Sequence, residues 1–174
     1  SIPAVDSRRL TLSNKTGQRI VEMVNENIKI ENFLKKENFH NGISALMSFG
    51  GSTNAIIHML AIAGRTDVNI DLDDFNTISE KTPVIVNLKP AGEMLMEDLH
   101  YAGGVSGILK NIDDLIYKNV YTVSGEKISK IIEESEIYNE DVIREKSKAI
   151  NSEGSISILK GSLAPNGAVI KVAA

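Results

Sequence analysis

Five residues at the entrance to an apolar segment, Gly50-Gly51-Ser52-Thr53-Asn54, are of types suited to holding an anion. Two glycines let a backbone approach a ligand closely. A helix opening at Ser52 or Thr53 points free N–H groups and the positive end of its dipole at a carboxylate or phosphate. The two hydroxyls and the Asn54 amide add donors. The same residues also suit a tight turn with a Ser/Thr cap that lets a helix pack closely. No Lys precedes the Ser/Thr pair at the spacing of a Walker phosphate loop. His58 lies four residues beyond Asn54, on the same helical face, and is the only strongly polar side chain between Ala55 and Ala63. A polar pair on an apolar helix must find partners or line a cavity. Ser52, Thr53, Asn54 and His58 are therefore the candidate cleft-lining or substrate-binding residues, with a hydrogen-bonded core histidine as the alternative for His58.

Two other polar clusters are weaker. Asp67, Asn69, Asp71 and Asp73 alternate like calcium ligands, but Leu72 and Ile78 stand where an EF-hand needs Gly and Glu, so helix-capping acids explain them better. Glu97, Asp98 and His100 before Gly103-Gly104 could do acid–base work or form a surface helix end. The chain has no cysteine and three histidines, His40, His58 and His100, without metal-ligand spacing. It offers no thiolate zinc site, no Cys-ligated iron–sulfur cluster and no Cys nucleophile of its own. There is no nucleophile elbow, and no carboxylate pair can be assigned to a glycosidase. No catalytic residue and no metal ligand is named within this chain.

The elements that must position these residues alternate in type. The spacing of Ile20, Met23 and Val24 predicts a helix from Ser13 or Asn14 to Asn27, with Gly17 weakening its start. The charged residues Glu31 to Glu37 are expected to belong to the next helix, and the apolar stretch Asn41–Phe49 follows, ended by Gly50-Gly51. From Ala55 to Ala63 apolar residues cover every face, which predicts a helix buried on all sides. Asp71 opens another helix to about Lys81, and Pro83 blocks it. Val84–Leu88 and Val120–Val123 read as strands, and helices are expected at Met94–Ala102 and Val105–Ile116. Residues 126–149 read as a charged, loosely helical, solvated stretch. From Ser155 the pattern alternates, turns at Ala164-Pro165-Asn166-Gly167 and ends in an apolar run to Ala174, a hairpin-like β unit with a domain boundary near residue 150.

With 174 residues, 42% of them hydrophobic and 24% charged, the chain has globular composition. A net charge of −4 argues against a large basic nucleic-acid surface. No segment approaches a membrane span, and the opening SIPAVDSRRL lacks a basic stretch followed by an apolar one. The expectation is a soluble cytoplasmic protein. An apolar strand at the C-terminus and an all-apolar helix both point to a longer parent chain.

The order of the motifs resembles the dihydroxy-acid dehydratase family, which includes phosphogluconate and sugar-acid dehydratases. The resemblance rests on Asn41-Gly42 through Ser48-Phe49-Gly50-Gly51-Ser52-Thr53-Asn54 to His58, on Leu88-Lys89-Pro90-Ala91-Gly92, on Met96 through Gly104, and on Ile158 through Val169. Phe49 and Gly42 stand where the family usually carries Leu and Ala. The resemblance implies an internal fragment: residues 1–150 as the helix-rich C-terminal part of a large α/β domain, and residues 151–174 as the first strands of a C-terminal β-barrel domain. It implies a hydro-lyase converting 2,3-dihydroxy acids of the 2,3-dihydroxyisovalerate type to 2-keto acids in valine and isoleucine synthesis. A sugar-acid or phosphogluconate dehydratase fragment, or a non-catalytic stand-alone binding module, is the alternative. An iron–sulfur cluster and Mg²⁺ would serve the parent enzyme, a homodimer or homotetramer, with ligands and catalytic residues outside this chain. Alone, the chain would be inactive.

Overall fold

The computed structural model describes residues 2–172. Ser1 and the end of the terminal apolar run, Ala173-Ala174, lie outside the described residues. Seven α-helices and one hairpin follow in chain order among those residues: α1 (Arg8–Asn25), α2 (Lys36–Phe49), α3 (Asn54–Ala63), α4 (Leu72–Ser79), α5 (Met96–Ala102), α6 (Gly104–Asn111), α7 (Ile128–Glu133), β1 (Ile156–Gly161) and β2 (Ala164–Lys171). The helix-rich α/β character expected from the sequence is present, with the antiparallel sheet at the C-terminal end.

Helix α2 anchors the first core. Phe39, Ile43, Leu46 and Met47 recur at helical spacing and are buried with Ile56, Ala63, Ile70, Phe75 and Ile156. Fully burying a side chain such as Phe75 is worth roughly 2–3 kcal/mol. Helix α4 starts where Asp71 accepts the N–H groups of Asp73 (2.9 Å) and Asp74 (3.1 Å), while Asp74 accepts the Asp71 N–H at 3.1 Å. Of the alternating acids, Asp71 has the helix-capping role expected of them, with Asp74 as its reciprocal partner, whereas Asp73 pairs with Lys160. The hairpin then docks on α4: Ser79 Oγ donates to the Ile156 carbonyl at 2.5 Å, and Ile158 N–H donates to Asn76 Oδ1 at 3.2 Å.

A second core joins Ile85, Val86 and Leu88 to Leu99, Ala102, Ile108, Ile112, Val142 and Ile143. The Ser48 carbonyl at the end of α2 accepts the Ile85 (2.9 Å) and Val86 (3.3 Å) N–H groups, so α2 links both cores.

Several expectations are corrected. Helix α1 begins at Arg8, well before Ser13, because Asp6 accepts the Arg8 N–H at 2.8 Å and supplies the start. Glu31 to Glu37 is not one helix: Ile30–Asn32 is a 3₁₀ turn, and α2 starts at Lys36. Val84–Leu88 and Val120–Val123 form isolated bridges rather than strands, Val84 to Asn151, Val86 to Ile143 and Tyr121 to Lys127. Helix α6 stops at Asn111, short of Ile116, and a 3₁₀ turn follows. The stretch 126–149 is not simply solvated, since Val142 and Ile143 are fully buried. Ala164–Gly167 lies inside β2, and the chain reverses at Ser162-Leu163; Gly167, at φ 103°, lets the strand bend where a turn was expected.

The largest correction concerns α3. Its apolar residues cover every face, yet only Ile56 and Ala63 are buried. Ile57 is 66% exposed and Ile62 49%. The described residues hold a layer on one side of this helix and none on the other.

Candidate functional site

The Gly50–Asn54 corner joins α2 to α3. Gly50 caps α2 in the left-handed conformation, φ 74°, with its N–H donating to the Leu46 carbonyl. Gly51 N–H reaches the same carbonyl at 3.2 Å. A Cβ on Gly51 would meet Leu46 Cδ1 at 2.2 Å, so the second glycine is demanded by close packing. Ser52 is exposed, and its Oγ accepts the Asn54 N–H at 3.2 Å. Thr53 is the half-buried residue before α3, and its side chain makes no capping bond. Among the described residues, the N–H groups of Ser52 and Thr53 have no acceptor. The corner therefore presents two free amides, the Thr53 hydroxyl and the Asn54 amide at the positive end of a helix, a donor set for an anion.

Asn54 and His58 stand one turn apart on α3, and both are exposed. His58 is not a hydrogen-bonded core histidine: the helix face it shares with Ile57 and Ile62 is uncovered. Four candidate residues are thus contiguous, but only Thr53 is partly enclosed.

Two residues at this corner escaped the sequence reading. Lys171, near the end of β2, donates from Nζ to the Gly50 carbonyl at 2.8 Å. Ser155 is fully buried with an unpartnered Oγ, its Cβ 3.9 Å from where a Gly50 Cβ would stand. Nothing in local spacing ties either to Gly50.

The Glu97–His100 island does not assemble as an acid–base pair. Asp98 Oδ2 accepts the Leu95 N–H at 2.7 Å and caps α5, while His100 lies against Tyr101 with ring centroids 5.2 Å apart. The Arg8 guanidinium sits 5.8 Å above the Tyr101 ring. Arg8 also hydrogen-bonds Asp6 and holds its carboxyl down at about 2.

A polar cleft of about 680 Å³ opens between α2, α4 and the Asp114–Tyr117 segment. In it, His40 Nε2 and Lys36 Nζ approach Asp74 Oδ1 at 3.3 and 3.2 Å. Burial pushes the Asp74 carboxyl up, but the Asp71 N–H and Lys36 outweigh it and hold the group below its ordinary range. His40 and Asp74 come together only through the packing of α2 on α4. The Lys36–His40 spacing of one turn was readable in the sequence, but its partner was not.

No three His, Asp or Glu side chains gather as a metal site among the described residues. Nor is any described helix long and apolar enough to cross a membrane.

Comparison with known proteins gives the context. The family model described as dihydroxy-acid/6-phosphogluconate dehydratase N-terminal matches residues 1–131, and its C-terminal counterpart matches residues 141–174. A dihydroxy-acid dehydratase of Thermodesulfovibrio yellowstonii is 48% identical over 97% of this chain and 30% of its own length. An L-arabinonate dehydratase of Rhizobium leguminosarum bv. trifolii is 45% identical over 100% of the chain and 30% of its own. A dihydroxy-acid dehydratase of Sulfurisphaera tokodaii is 46% identical over 100% of the chain and 32% of its own. The chain thus spans about a third of the length of the curated relatives it matches.

Proposed function

This chain belongs to the dihydroxy-acid/6-phosphogluconate dehydratase family, whose members are hydro-lyases, and on that premise we propose that it is an internal segment of a dehydratase acting on 2,3-dihydroxy acids. In that reaction a base removes the C2 proton, the C3 hydroxyl leaves as water, and the resulting enol tautomerises to a 2-keto acid. The observation that carries the reading is the ordered match to both halves of the family, with a donor-lined corner falling in the first of them. Residues 1–150 are read as part of the large α/β domain and 151–174 as the start of a β-barrel domain. The setting is cytoplasmic branched-chain amino acid synthesis by a homo-oligomer.

The iron–sulfur cluster that accompanies this reading does not fit the donor set of this chain, which has no cysteine, and no three His, Asp or Glu side chains gather for Mg²⁺ among the described residues. No chemical step is therefore assigned to its residues. In this reading Ser52, Thr53, Asn54 and His58 instead border the substrate cleft of the full-length enzyme, apart from the α2–α4 cleft, and offer donors to the substrate carboxylate or hydroxyls.

Thr53→Ala in the full-length enzyme tests this. Loss of one hydrogen bond to a charged substrate group is expected to lower kcat/KM about ten-fold. Unchanged turnover and KM would leave the corner with a packing role. A sugar acid is the second substrate reading, favoured by the likeness to L-arabinonate dehydratase. Rates on 2,3-dihydroxyisovalerate and on arabinonate, measured side by side, decide between them. The intact mass and iron content of the native gene product test the segment reading: a product near 18.9 kDa without iron would favour a non-catalytic module.

A further inference from the structure

We propose that Lys171 is a positioning residue that pins the Gly50–Gly51 peptide and thereby sets the direction in which Ser52, Thr53 and Asn54 are presented. The inference rests on the reading that this corner borders the substrate cleft.

The peptide between Gly50 and Gly51 has no Cβ on either side to resist rotation of its plane. Gly51 cannot gain one, because Leu46 occupies the space. Rigidity must come from hydrogen bonds, and the structure supplies one at each end. The Gly51 N–H donates to the Leu46 carbonyl at 3.2 Å. The Gly50 carbonyl, at a helix end whose carbonyls lack intrahelical donors, accepts from Lys171 Nζ at 2.8 Å. A cation also suits the negative end of α2. With both ends held, the peptide plane cannot turn, and the chain leaves Gly51 in one direction.

The lysine is itself well placed to hold. Lys171 pairs with Ile156 in the hairpin register, and Ile156 is fully buried with its carbonyl bonded by Ser79. The Val172 N–H donates to the Ser155 carbonyl at 2.8 Å. A residue 121 positions from Gly50, in the region matched by the C-terminal family model, thus fixes a corner in the region matched by the N-terminal one.

The test uses the full-length dehydratase with Lys171→Met, which keeps the apolar stem and removes the donor, and Lys171→Arg, which restores a donor. Thr53→Ala runs beside them. Hydrogen–deuterium exchange at the Gly51 and Asn54 amides, the two hydrogen-bonded N–H groups of the corner, is expected to quicken about ten-fold in Lys171→Met, the loss of one charge-assisted bond. KM is expected to rise about ten-fold with kcat within about two-fold, and Lys171→Arg is expected to restore both. Exchange and KM unchanged in Lys171→Met, while Thr53→Ala still raises KM, overturn the role of Lys171 and spare the cleft reading. Kinetically silent Thr53→Ala overturns the cleft reading, and positioning for the site falls with it. A lowered melting temperature in Lys171→Met, with exchange confined to its wild-type rate and no rescue by arginine, makes the lysine a structural cap and also overturns the proposal.

Discussion

Helices α2 and α3 are consecutive, both are apolar, and they fare differently. In α2 the apolar stripe Phe39, Ile43, Leu46 and Met47 is buried, α4 and α6 pack against the helix, and every residue from Ile43 to Ser48 is covered. In α3 the apolar residues surround the helix, and the described structure covers only the side bearing Ile56 and Ala63. Helix α1 shares only the lack of cover, with Leu10, Val21 and Val24 exposed and only Met23 buried, although its many polar residues make it amphipathic rather than apolar all round. An amphipathic stripe states which side needs cover and how much. An all-round apolar helix demands cover that its neighbours in sequence do not provide. The difference locates where this chain is self-sufficient and where it is not.

The sharpest way to break that comparison is to cut into the self-sufficient side. Phe75→Ala removes a fully buried ring from the first core, and the expected loss is about 3–5 kcal/mol, read by denaturant or thermal unfolding. A loss below about 1 kcal/mol would mean that the α2–α4–hairpin core is no better packed than the surface of α3. The next effect is smaller. Asp71→Ala deletes the α4 cap and leaves the Asp73 and Asp74 N–H groups without their acceptor. About 1 kcal/mol is expected to go, and Asp71→Asn is expected to recover most of it.

What the sequence made legible divides along the same line. Caps and alternation are local, so the Asp71 helix start and the alternating strand of the hairpin could be read from spacing, whereas α2 was legible only as the apolar stretch Asn41–Phe49. The corner Gly50–Asn54 was legible as well, because its residue types are adjacent. What could not be read depends on tertiary partners. Val84–Leu88 looks like a strand but finds only single bridges to Asn151, Ile143 and Met94. Val142 and Ile143 sit among charged residues, and only their docking on Ile85 and Val86 makes them core. The Lys171 contact to Gly50 spans 121 positions, and no pattern within a window can reveal it.

Acid offers a finer probe of the α2–α4 side. The Asp74 carboxyl titrates below its ordinary range in the folded chain, so its contribution is present above the unfolded value of about 3.9 and is lost as pH falls through the lower folded one. The melting temperature is therefore expected to drop more steeply below about pH 4 in the wild type than in Asp74→Asn. The difference should be on the order of 0.5 kcal/mol, since Lys36 is half exposed and screened. Parallel acid slopes would remove Asp74 from the contact.

The smallest expected change in stability carries the most information about α3. Ile57 and Ile62 project into solvent here, so replacing both with Ser in the 174-residue chain should move its stability by no more than about 0.5 kcal/mol. The same exposed residues, with Leu10, Val21 and Val24 of α1, form apolar surface of the kind that drives association. Light scattering should therefore show the wild-type chain self-associating and the doubly substituted chain doing so less, at equal melting temperature. In the full-length protein the double substitution should instead cost several kcal/mol, because there the uncovered face of α3 would meet the rest of the fold. A monomeric wild-type chain, or a full-length protein indifferent to both changes, would mean that α3 needs no further cover and that its all-round apolar sequence has another cause.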